Sequence, residues 1–270
     1  MRYLVLTDLE GVAGIDSWAH TRSTDDEKKA PAMAQLAREV NACVEGIRSV
    51  HPDADIDVWD GHGYGGLHEG AVVDAQFRDD ERPYYDLDEY DALLFVGQHA
   101  MAGTVLAPLA HTYDSRNVAY YRLNGFYIGE FGARALVAGR QAVPTIYLSG
   151  DDKAAREAEL FVPDIETTVT KRGTGLEAAD HLDPEEASRR IHDDTATAVR
   201  RVDEVDAFDG ISPPYRLEIR FTDPISDDAI RTGDDWSTRP LRRRGDFDVL
   251  SRIDERTIFL ETDDIVDLPL

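Results

Sequence analysis

Short apolar runs alternate with amphipathic segments along the first half of the chain. Runs rich in β-branched and aromatic residues predict buried strands at 2–7, 55–59 and 92–96. Between the first two, apolar residues recur every three or four positions from Met33 to Ile47, which predicts a long helix. This β-α-β order predicts an α/β fold with a right-handed, mostly parallel sheet and helices on its faces.

The pattern changes after residue 118. Two short strand-like runs flank Asn124-Gly125, the dipeptide that a type I′ hairpin turn prefers, so we predict a hairpin over 118–128. A helix is expected to begin near Glu130. A further strand at 144–148 leads into Asp151-Asp152, whose charges suit the positive end of a helix predicted over 153–160.

The strand and helix rhythm weakens after about Val169. One amphipathic helix is predicted from 184 to about 205, with strands at 215–221 and 257–261. We therefore predict two domains. Residues 1–165 form an α/β metal-binding catalytic domain, and residues 166–270 form a smaller α+β domain that serves oligomerisation and pocket shaping. The basic run Arg242-Arg243-Arg244 is interpreted as a solvated or interface-pairing loop.

Composition limits the kind of metal site and the kind of partner. Cys43 is the single cysteine, so any metal must be held by histidine, aspartate and glutamate. The formal net charge is -25, from 54 acidic against 29 basic residues, which opposes nucleic acid as a partner. An acidic surface with only four lysines resembles that of proteins from salt-loving organisms; attraction of cationic ligands is the alternative.

The location of the protein is predicted from its apolar segments. The first strand reaches an acid at Asp8, too early for the apolar stretch of a signal peptide. No segment approaches the ~20 apolar residues that a transmembrane helix needs. We expect a cytoplasmic protein with no membrane partner.

Histidines and acids follow several of the predicted strands. His62 and His99 lie close to strand ends, and His111 lies in a similar context between apolar and polar residues. Asp8 and Glu10 leave the first strand at the same edge, where alternation turns residues two apart to one side. Ligands of open α/β sheets bind at this carboxyl edge. The sequence therefore predicts that these side chains converge.

The predicted cluster offers oxygen and imidazole ligands without sulfur. Asp8, Glu10, His62 and His99 suit zinc, with manganese or cobalt as possible replacements, and one carboxylate could bridge two ions. Taken singly, each residue also fits a structural role, such as a turn cap or a hydrogen-bonded loop histidine. Their joint occurrence at three strand ends favours the metal site. Glu130 stays open between a metal ligand and a helix cap.

These residues resemble the motifs of a known family, the DppA-type D-aminopeptidases, which are self-compartmentalising zinc peptidases of bacteria and archaea. The resemblance covers about the first 160 residues, and the last hundred match only loosely. The matching motifs, in the family's order and at similar spacings, are Asp8-Leu9-Glu10-Gly11, Asp60-Gly61-His62, Gly97-Gln98-His99-Ala100, Leu109-Ala110-His111-Thr112, Gly129-Glu130-Phe131-Gly132 and Gly150-Asp151-Asp152.

The resemblance implies a site with two zinc ions. Asp8 would bridge the ions. Glu10 and His62 would complete one site, and His99 and Glu130 the other. Two such ions lower the pKa of a shared water and stabilise the oxyanion formed on a peptide carbonyl. The implied reaction is removal of the N-terminal residue, a D-amino acid, from short peptides.

The resemblance also implies a catalytic histidine and an assembly. His111 falls on the family's catalytic histidine, and the assembly would be a homodecamer of two stacked pentameric rings. The chain departs from the family pattern at Gly61, where a serine is expected, and at Ala110. Neither change removes a ligand, but Gly61 puts in doubt the hydrogen bonding that orients His62.

Two alternatives from other functional classes remain. A magnesium-dependent phosphatase of the haloacid-dehalogenase type also begins with an acid after its first strand, here Asp8. Against it, Glu10 stands where that family has aspartate, and Ala155 stands where a second acid is expected after Asp151. The other alternative is a non-catalytic, ring-forming scaffold that binds one metal ion or none.

Overall fold

The computed structural model describes residues 1–80, 82–226 and 248–270. These residues form two β-sheets and several helices. The α-helices of the described part are α1 (Asp26–Val50), α2 (Glu130–Gly139), α3 (Asp152–Phe161) and α4 (Pro184–Arg200). The basic run Arg242-Arg243-Arg244 lies outside the described residues.

The larger sheet is mostly parallel. Its strands are β1 (Arg2–Thr7), β2 (Asp55–Asp60), β3 (Gln76–Arg78), β4 (Ala92–Gln98), β7 (Thr145–Asp151), β8 (Glu166–Gly175) and β9 (Ala178–His181), with β5 and β6 elsewhere. Their order is β3-β2-β1-β4-β7-β8-β9, and β9 alone among these strands pairs antiparallel. β1 and β4 are buried along nearly their whole length, as expected for central strands covered on both faces.

The smaller sheet is antiparallel. Its strands are β5 (Val118–Leu123), β6 (Phe126–Tyr127), β10 (Tyr215–Phe221), β11 (Asp248–Asp254) and β12 (Thr257–Thr262), in the order β11-β12-β10-β5-β6. The β5-β6 hairpin turns at Asn124 and Gly125, whose φ angles are 50° and 93°. Two positive φ angles are what a type I′ turn requires, so the predicted hairpin is confirmed.

The order of the strands creates a crevice between β1 and β4. The chain runs from β1 outward through β2 to β3, and from β4 outward in the opposite direction through β7 to β8. Right-handed crossovers then place α1 on one face of the sheet and α2 and α3 on the other. The loops after β1 and β4 therefore leave in opposite directions, and this switch point is where open α/β sheets bind ligands.

The predicted fold class is confirmed: a mostly parallel sheet with flanking helices accompanies a second, antiparallel sheet. The sequence did not predict β8, because its buried positions include Thr168, Thr170 and Lys171 in place of apolar residues. Each of the two sheets contains strands from both sides of residue 165. The division at 165/166, with separate roles for the two parts, stays a prediction.

Among the helices of the described part, none combines the length and the apolar character needed to cross a lipid bilayer.

The backbone segments around Asp8 and Gly97 approach each other closely at the crevice. Gly97, in β4, has φ +79°, and a Cβ there would overlap the carbonyl oxygen of Asp8. The amide of Asp8 donates to the carbonyl of Val96 over 2.9 Å, which continues the β1-β4 pairing beyond the strand. Only glycine fits at position 97, so this residue sets the distance between the two ligand-bearing loops.

We expect Gly97→Ala to destabilise the fold more than Gly14→Ala. Gly14 has nearly the same φ, +78°, but a Cβ there meets nothing within 4 Å. Both variants should lose ~1–2 kcal/mol from the left-handed backbone. Gly97→Ala should lose a further ~1–3 kcal/mol from overpacking. Urea unfolding of both variants measures the difference, and equal losses would show that the backbone at position 97 yields freely.

Candidate metal centre

Asp8 lies at the centre of the cluster, directly after β1. Its side chain is buried, with 4% of the residue exposed. One carboxylate oxygen, Oδ1, lies 3.1 Å from Nδ1 of His62, and the other, Oδ2, lies 3.2 Å from Nε2 of His99. The two oxygens of one carboxylate thus face two different histidines, which arrive from β2 and β4.

His62 and Glu10 complete one side of the cluster. Nδ1 of His62 lies 3.1 Å from Oε2 of Glu10 as well as from Asp8. The opposite ring nitrogen, Nε2, lies 2.8 Å from the carbonyl oxygen of Thr21. A carbonyl only accepts hydrogen bonds, so Nε2 carries the proton and Nδ1 of the neutral ring presents a lone pair to the two carboxylates.

His99 and Glu130 form the other side. Nε2 of His99 lies 3.5 Å from Oε1 of Glu130, while Nδ1 of His99 lies 2.9 Å from the carbonyl oxygen of Ala100. The same reasoning assigns the proton to Nδ1 and a lone pair to Nε2. Glu130 is the first residue of α2, and its Oε1 also accepts a hydrogen bond from the amide of Tyr113.

With both rings neutral, as ligands of a metal ion must be, their lone pairs and the carboxylate oxygens converge on one region. Nε2 of His99 and Oε2 of Glu10 are buried and have no hydrogen-bond partner. Ligand atoms of Asp8, Glu10 and His99 all lie within 4.8 Å of one another. Buried polar atoms are nearly always paired in native proteins, and a cation between these atoms would satisfy all of them. The donor set, nitrogen and oxygen without sulfur, fits zinc.

The electrostatics of the cluster favour positive charge. Burial lowers the pKa of His99, but Asp8 and Glu130 outweigh burial and hold that pKa well above its ordinary value. Burial likewise lowers the pKa of His62, and Glu10 and Asp8 raise it further than burial lowers it. The same carboxylates that favour protons here also favour a divalent cation.

His111 lies beside this cluster, and its pKa shifts in the opposite direction from that of His99. Its ring stacks on His99 with 3.9 Å between centroids, and its Nε2 lies 3.7 Å from Oε1 of Glu130. Its Nδ1 lies 2.9 Å from the carbonyl of Leu109, which again leaves the lone pair on Nε2. Burial and the neighbouring His99 lower the pKa of His111, so this imidazole is neutral near pH 7 and can accept a proton.

A cavity of about 310 Å³ opens onto these groups. This volume is at the lower end of the range for small-molecule sites. Four aromatic side chains, those of Trp59, Tyr64, Tyr84 and Tyr113, and three arginines share its wall with the acids and histidines. Its lining includes Asp8, Glu10, His62, His111, Glu130, Arg22, Arg82 and Arg134.

Comparison with known proteins identifies the family. The family model of the M55 peptidases, described as D-aminopeptidase, matches residues 1–235. The chain belongs to the M55 peptidase family. It is 29% identical over 244 residues to a D-aminopeptidase of Bacillus subtilis (strain 168), and the alignment covers 82% of this chain and 81% of that protein.

The fold of this M55 peptidase is similar to a solved structure. The zinc-dependent D-aminopeptidase DppA from Bacillus subtilis, a self-compartmentalizing protease, superposes with a TM-score of 0.82 at 22% identity. The superposition covers 99% of this chain and 93% of that one. The predicted resemblance to D-aminopeptidases is confirmed, and with it the prediction of a metallo-aminopeptidase.

Family membership makes the phosphatase alternative wrong, and the structure gives the physical reason. Oδ1 of Asp151 caps α3 by accepting from the amides of Lys153 and Ala154 over 2.8 and 3.1 Å. Its Oδ2 accepts from the amide of Ala100, 3.1 Å away. Asp151 thus holds α3 and the loop of His99, and its oxygens are already in use.

The structure brings together all six residues predicted for the site of this M55 peptidase: Asp8, Glu10, His62, His99, His111 and Glu130. Gly61 put the orientation of His62 in doubt, but the carbonyl of Thr21 holds the His62 ring through a hydrogen bond. A Cβ at position 61 would lie 2.7 Å from the carbonyl oxygen of Thr7. The ligand and catalytic roles of the six remain predictions.

Two supports of the Glu10 loop were missed by sequence reasoning. Lys171, from β8, donates to the carbonyls of Glu10, Val12 and Ile15. Glu39, from α1, accepts from the amide of Ala13 over 2.8 Å. Burial lowers the pKa of Lys171 to about 8. Lys171 lies in a strand that the sequence did not predict, and its partners are distant in sequence, so no local pattern pointed to this role.

Proposed function

We propose that this protein is a zinc-dependent aminopeptidase that removes the N-terminal D-amino acid from short peptides. The observation that carries the proposal is the position of Asp8, whose two carboxylate oxygens face Nδ1 of His62 and Nε2 of His99. A carboxylate in this position can bridge two metal ions. The family, the zinc-dependent Bacillus structure and the oxygen and nitrogen ligands all support zinc.

The proposed site holds two ions per chain. Asp8 would bridge them, Glu10 and His62 would complete one position, and His99 and Glu130 would complete the other. Manganese or cobalt could replace zinc on the same ligands. Support comes from the clustering of these atoms, with Asp8, Glu10 and His99 contributing one compact group of ligand atoms.

Bound zinc would supply a hydroxide near neutral pH and polarise the scissile carbonyl. The residues of the chain supply orientation and proton transfer. His111 is the proposed catalytic histidine, because its neutral Nε2 faces the ligand atoms while Leu109 holds its Nδ1. A proton taken up at Nε2 can then be delivered to the leaving amine.

The proposed substrates and assembly follow from the relatives. Short peptides fit a cavity of about 310 Å³. The Bacillus structure is a self-compartmentalizing protease, so we propose self-association here as well, as a homodecamer of two pentameric rings. We further propose a cytoplasmic location, with neither membrane nor nucleic acid as a partner; the net charge of -25 opposes nucleic acid binding.

Hydrolysis of D-alanine and L-alanine p-nitroanilides tests the proposal. The wild type should cleave the D-substrate faster. His99→Ala should lose more than ~100-fold of the rate, since even the outer partners of metal ligands cost 10- to 100-fold when replaced. Zinc content, measured by mass spectrometry after dialysis, should fall to about one ion per chain.

His192→Ala is the matched control, because this histidine lies on α4 and pairs only with neighbouring Asp193 in the described contacts. It should retain wild-type rates. Equal rates from wild type and His99→Ala would refute the site. A wild type without bound metal or activity would instead favour the scaffold alternative.

A further inference from the structure

Arg134 is a buried arginine whose hydrogen-bond donors are only partly used. The residue is 4% exposed, and its Nη2 donates to Oε2 of Glu130 over 2.9 Å. Its Nε and Nη1 have no hydrogen-bond partner. A guanidinium carries five N–H groups, and buried ones are normally satisfied. Unpaired buried donors on a residue that lines the cavity therefore indicate a ligand that carries acceptor oxygens.

The carboxylate of Glu130 links the guanidinium to the candidate ligand atoms. Glu130 directs Oε1 toward His99 and His111, and Oε2 toward Arg134. Arg134 stands one helical turn after Glu130 on α2, and both residues line the cavity. A peptide with its scissile carbonyl at the metal centre can therefore bring the group that follows this carbonyl to Arg134.

Aromatic rings hold the guanidinium in place. The centroids of Trp59, Tyr84 and Tyr113 lie 5.7, 5.6 and 5.9 Å from its central carbon. These contacts are long for cation-π interactions, but they restrict the orientation of the side chain and exclude water from it. Gly61 adds no side chain; a Cβ there would lie 3.5 Å from Nη1. No side chain at position 61 therefore lies against Nη1 in the cavity wall that both residues form.

The other two arginines of the cavity wall are engaged by the protein. Arg82 donates to the carbonyl of Leu270 and to the hydroxyl of Tyr85. Arg22 donates to the carbonyl of Ser115 and stacks on Trp18; its Nε is unpaired, but the residue is only partly buried. Of these three, Arg134 is the most deeply buried, and it has two buried donor nitrogens without a partner where Arg22 has one.

We propose that Arg134 binds the free α-carboxylate of the residue that follows the scissile bond, so that the enzyme selects dipeptides. This inference rests on the proposed aminopeptidase function. Successive residues of a peptide are 3.8 Å apart, so a carboxylate one residue beyond a carbonyl at the metal centre lies within reach of a neighbouring guanidinium. Arginine binds carboxylates in a planar, two-point geometry that an amide does not reproduce.

The test compares D-Ala-D-Ala with its C-terminal amide, D-Ala-D-Ala-NH2. Wild-type kcat/KM should favour the free acid by ~10- to 100-fold, as expected for a lost charge-assisted pair. Arg134→Gln should abolish this preference by raising KM for the acid, with a smaller change for the amide. Arg134→Lys, which retains the charge, should keep part of the preference. Release of D-alanine, followed chromatographically, measures all rates.

The ratio of kcat/KM for the acid to kcat/KM for the amide distinguishes two roles of Arg134, binding of the substrate carboxylate and support of Glu130. Loss of zinc or disturbance of Glu130 would slow both substrates equally and leave the ratio unchanged, and that result would overturn the proposal. Arg140→Gln, an exposed arginine next to the end of α2, is the matched control and should keep the wild-type ratio. Circular dichroism and zinc content establish that each variant is folded and loaded.

The proposal fails separately from the proposed function. Equal wild-type hydrolysis of acid and amide would overturn the role of Arg134 and leave the aminopeptidase intact. If neither compound were hydrolysed, the proposed function would fail, and calorimetric binding of the two compounds would still test Arg134. Tighter binding of the acid, lost in Arg134→Gln, supports the proposal, and equal binding overturns it.

Discussion

Asp8→Ala should release both zinc ions and lower kcat/KM by at least ~10⁴-fold. Asp8 is the one carboxylate of the centre that faces both His62 and His99, so its removal weakens both proposed positions. A 10⁴-fold loss corresponds to about 5.5 kcal/mol of transition-state stabilisation. That is the scale of a polarising metal ion and the hydroxide it supplies. Zinc per chain after dialysis, together with the rate on D-alanine p-nitroanilide, measures the effect.

Comparison with Glu10→Ala distinguishes a bridging ligand from an ordinary one. Glu10 faces His62 but lies on one side of the centre, so its replacement should weaken mainly one ion. If Asp8→Ala and Glu10→Ala each released a single ion, Asp8 would be an ordinary ligand and not a bridge. Two ions retained in Asp8→Ala would remove it from the centre altogether.

Misfolding is a separate explanation that thermal unfolding excludes. In metal-free protein, burial raises the pKa of Asp8, but His62 and His99 hold that pKa well below its ordinary value, so the buried carboxylate is paired. Asp8→Ala leaves the two histidines without this partner and should unfold a few degrees below chelator-treated wild type while staying folded at the assay temperature. The hydrogen bond from the backbone amide of residue 8 to the carbonyl of Val96 does not involve the side chain and is retained in the variant. A much lower melting temperature than that of the chelator-treated wild type would show that the side chain itself holds the crevice together.

The positions of Asp8 and His99 could be predicted because they depend on strand ends. Uninterrupted apolar runs mark β1 and β4, and parallel strands bring their carboxyl ends to one edge. The histidine and the acid then need only a short loop each. Local sequence patterns therefore sufficed for the candidate ligands, although the adjacency of β1 and β4 in the sheet came from the structure.

Lys171 and Arg134 could not be predicted in the same way. Lys171 lies in a polar-looking strand, and its three carbonyl partners belong to the loop that holds Glu10, about 160 positions earlier. Arg134 reads as one polar position on α2 until the rings of the cavity are placed around it. Both roles depend on tertiary contacts that no periodicity encodes. The same is true of β8, whose burial relies on hydrogen-bonded threonines and not on apolar residues.

His111→Ala should lower kcat by ~10²- to 10⁴-fold while zinc content and KM stay near wild type, the effect expected when proton transfer is lost and metal and substrate binding remain. Loss of an ion from this variant would make His111 a ligand, which its place beside His99 and Glu130 also permits geometrically. His68→Ala is the matched control, because His68 is exposed and outside the cavity.

The pH profile gives an independent readout for His111. Burial and His99 lower the pKa of His111 from its ordinary value of 6.5, and the reaction needs the neutral ring. Activity should therefore be full at neutral pH and fall as the pH drops through that lowered pKa, so the acid limb of kcat/KM lies below 6.5. A nearby zinc ion shifts this limb further in the same direction, since positive charge disfavours the protonated ring. The acid limb should be absent from the profile of His111→Ala. An unchanged profile in the variant would show that another group titrates in this range and transfers the proton.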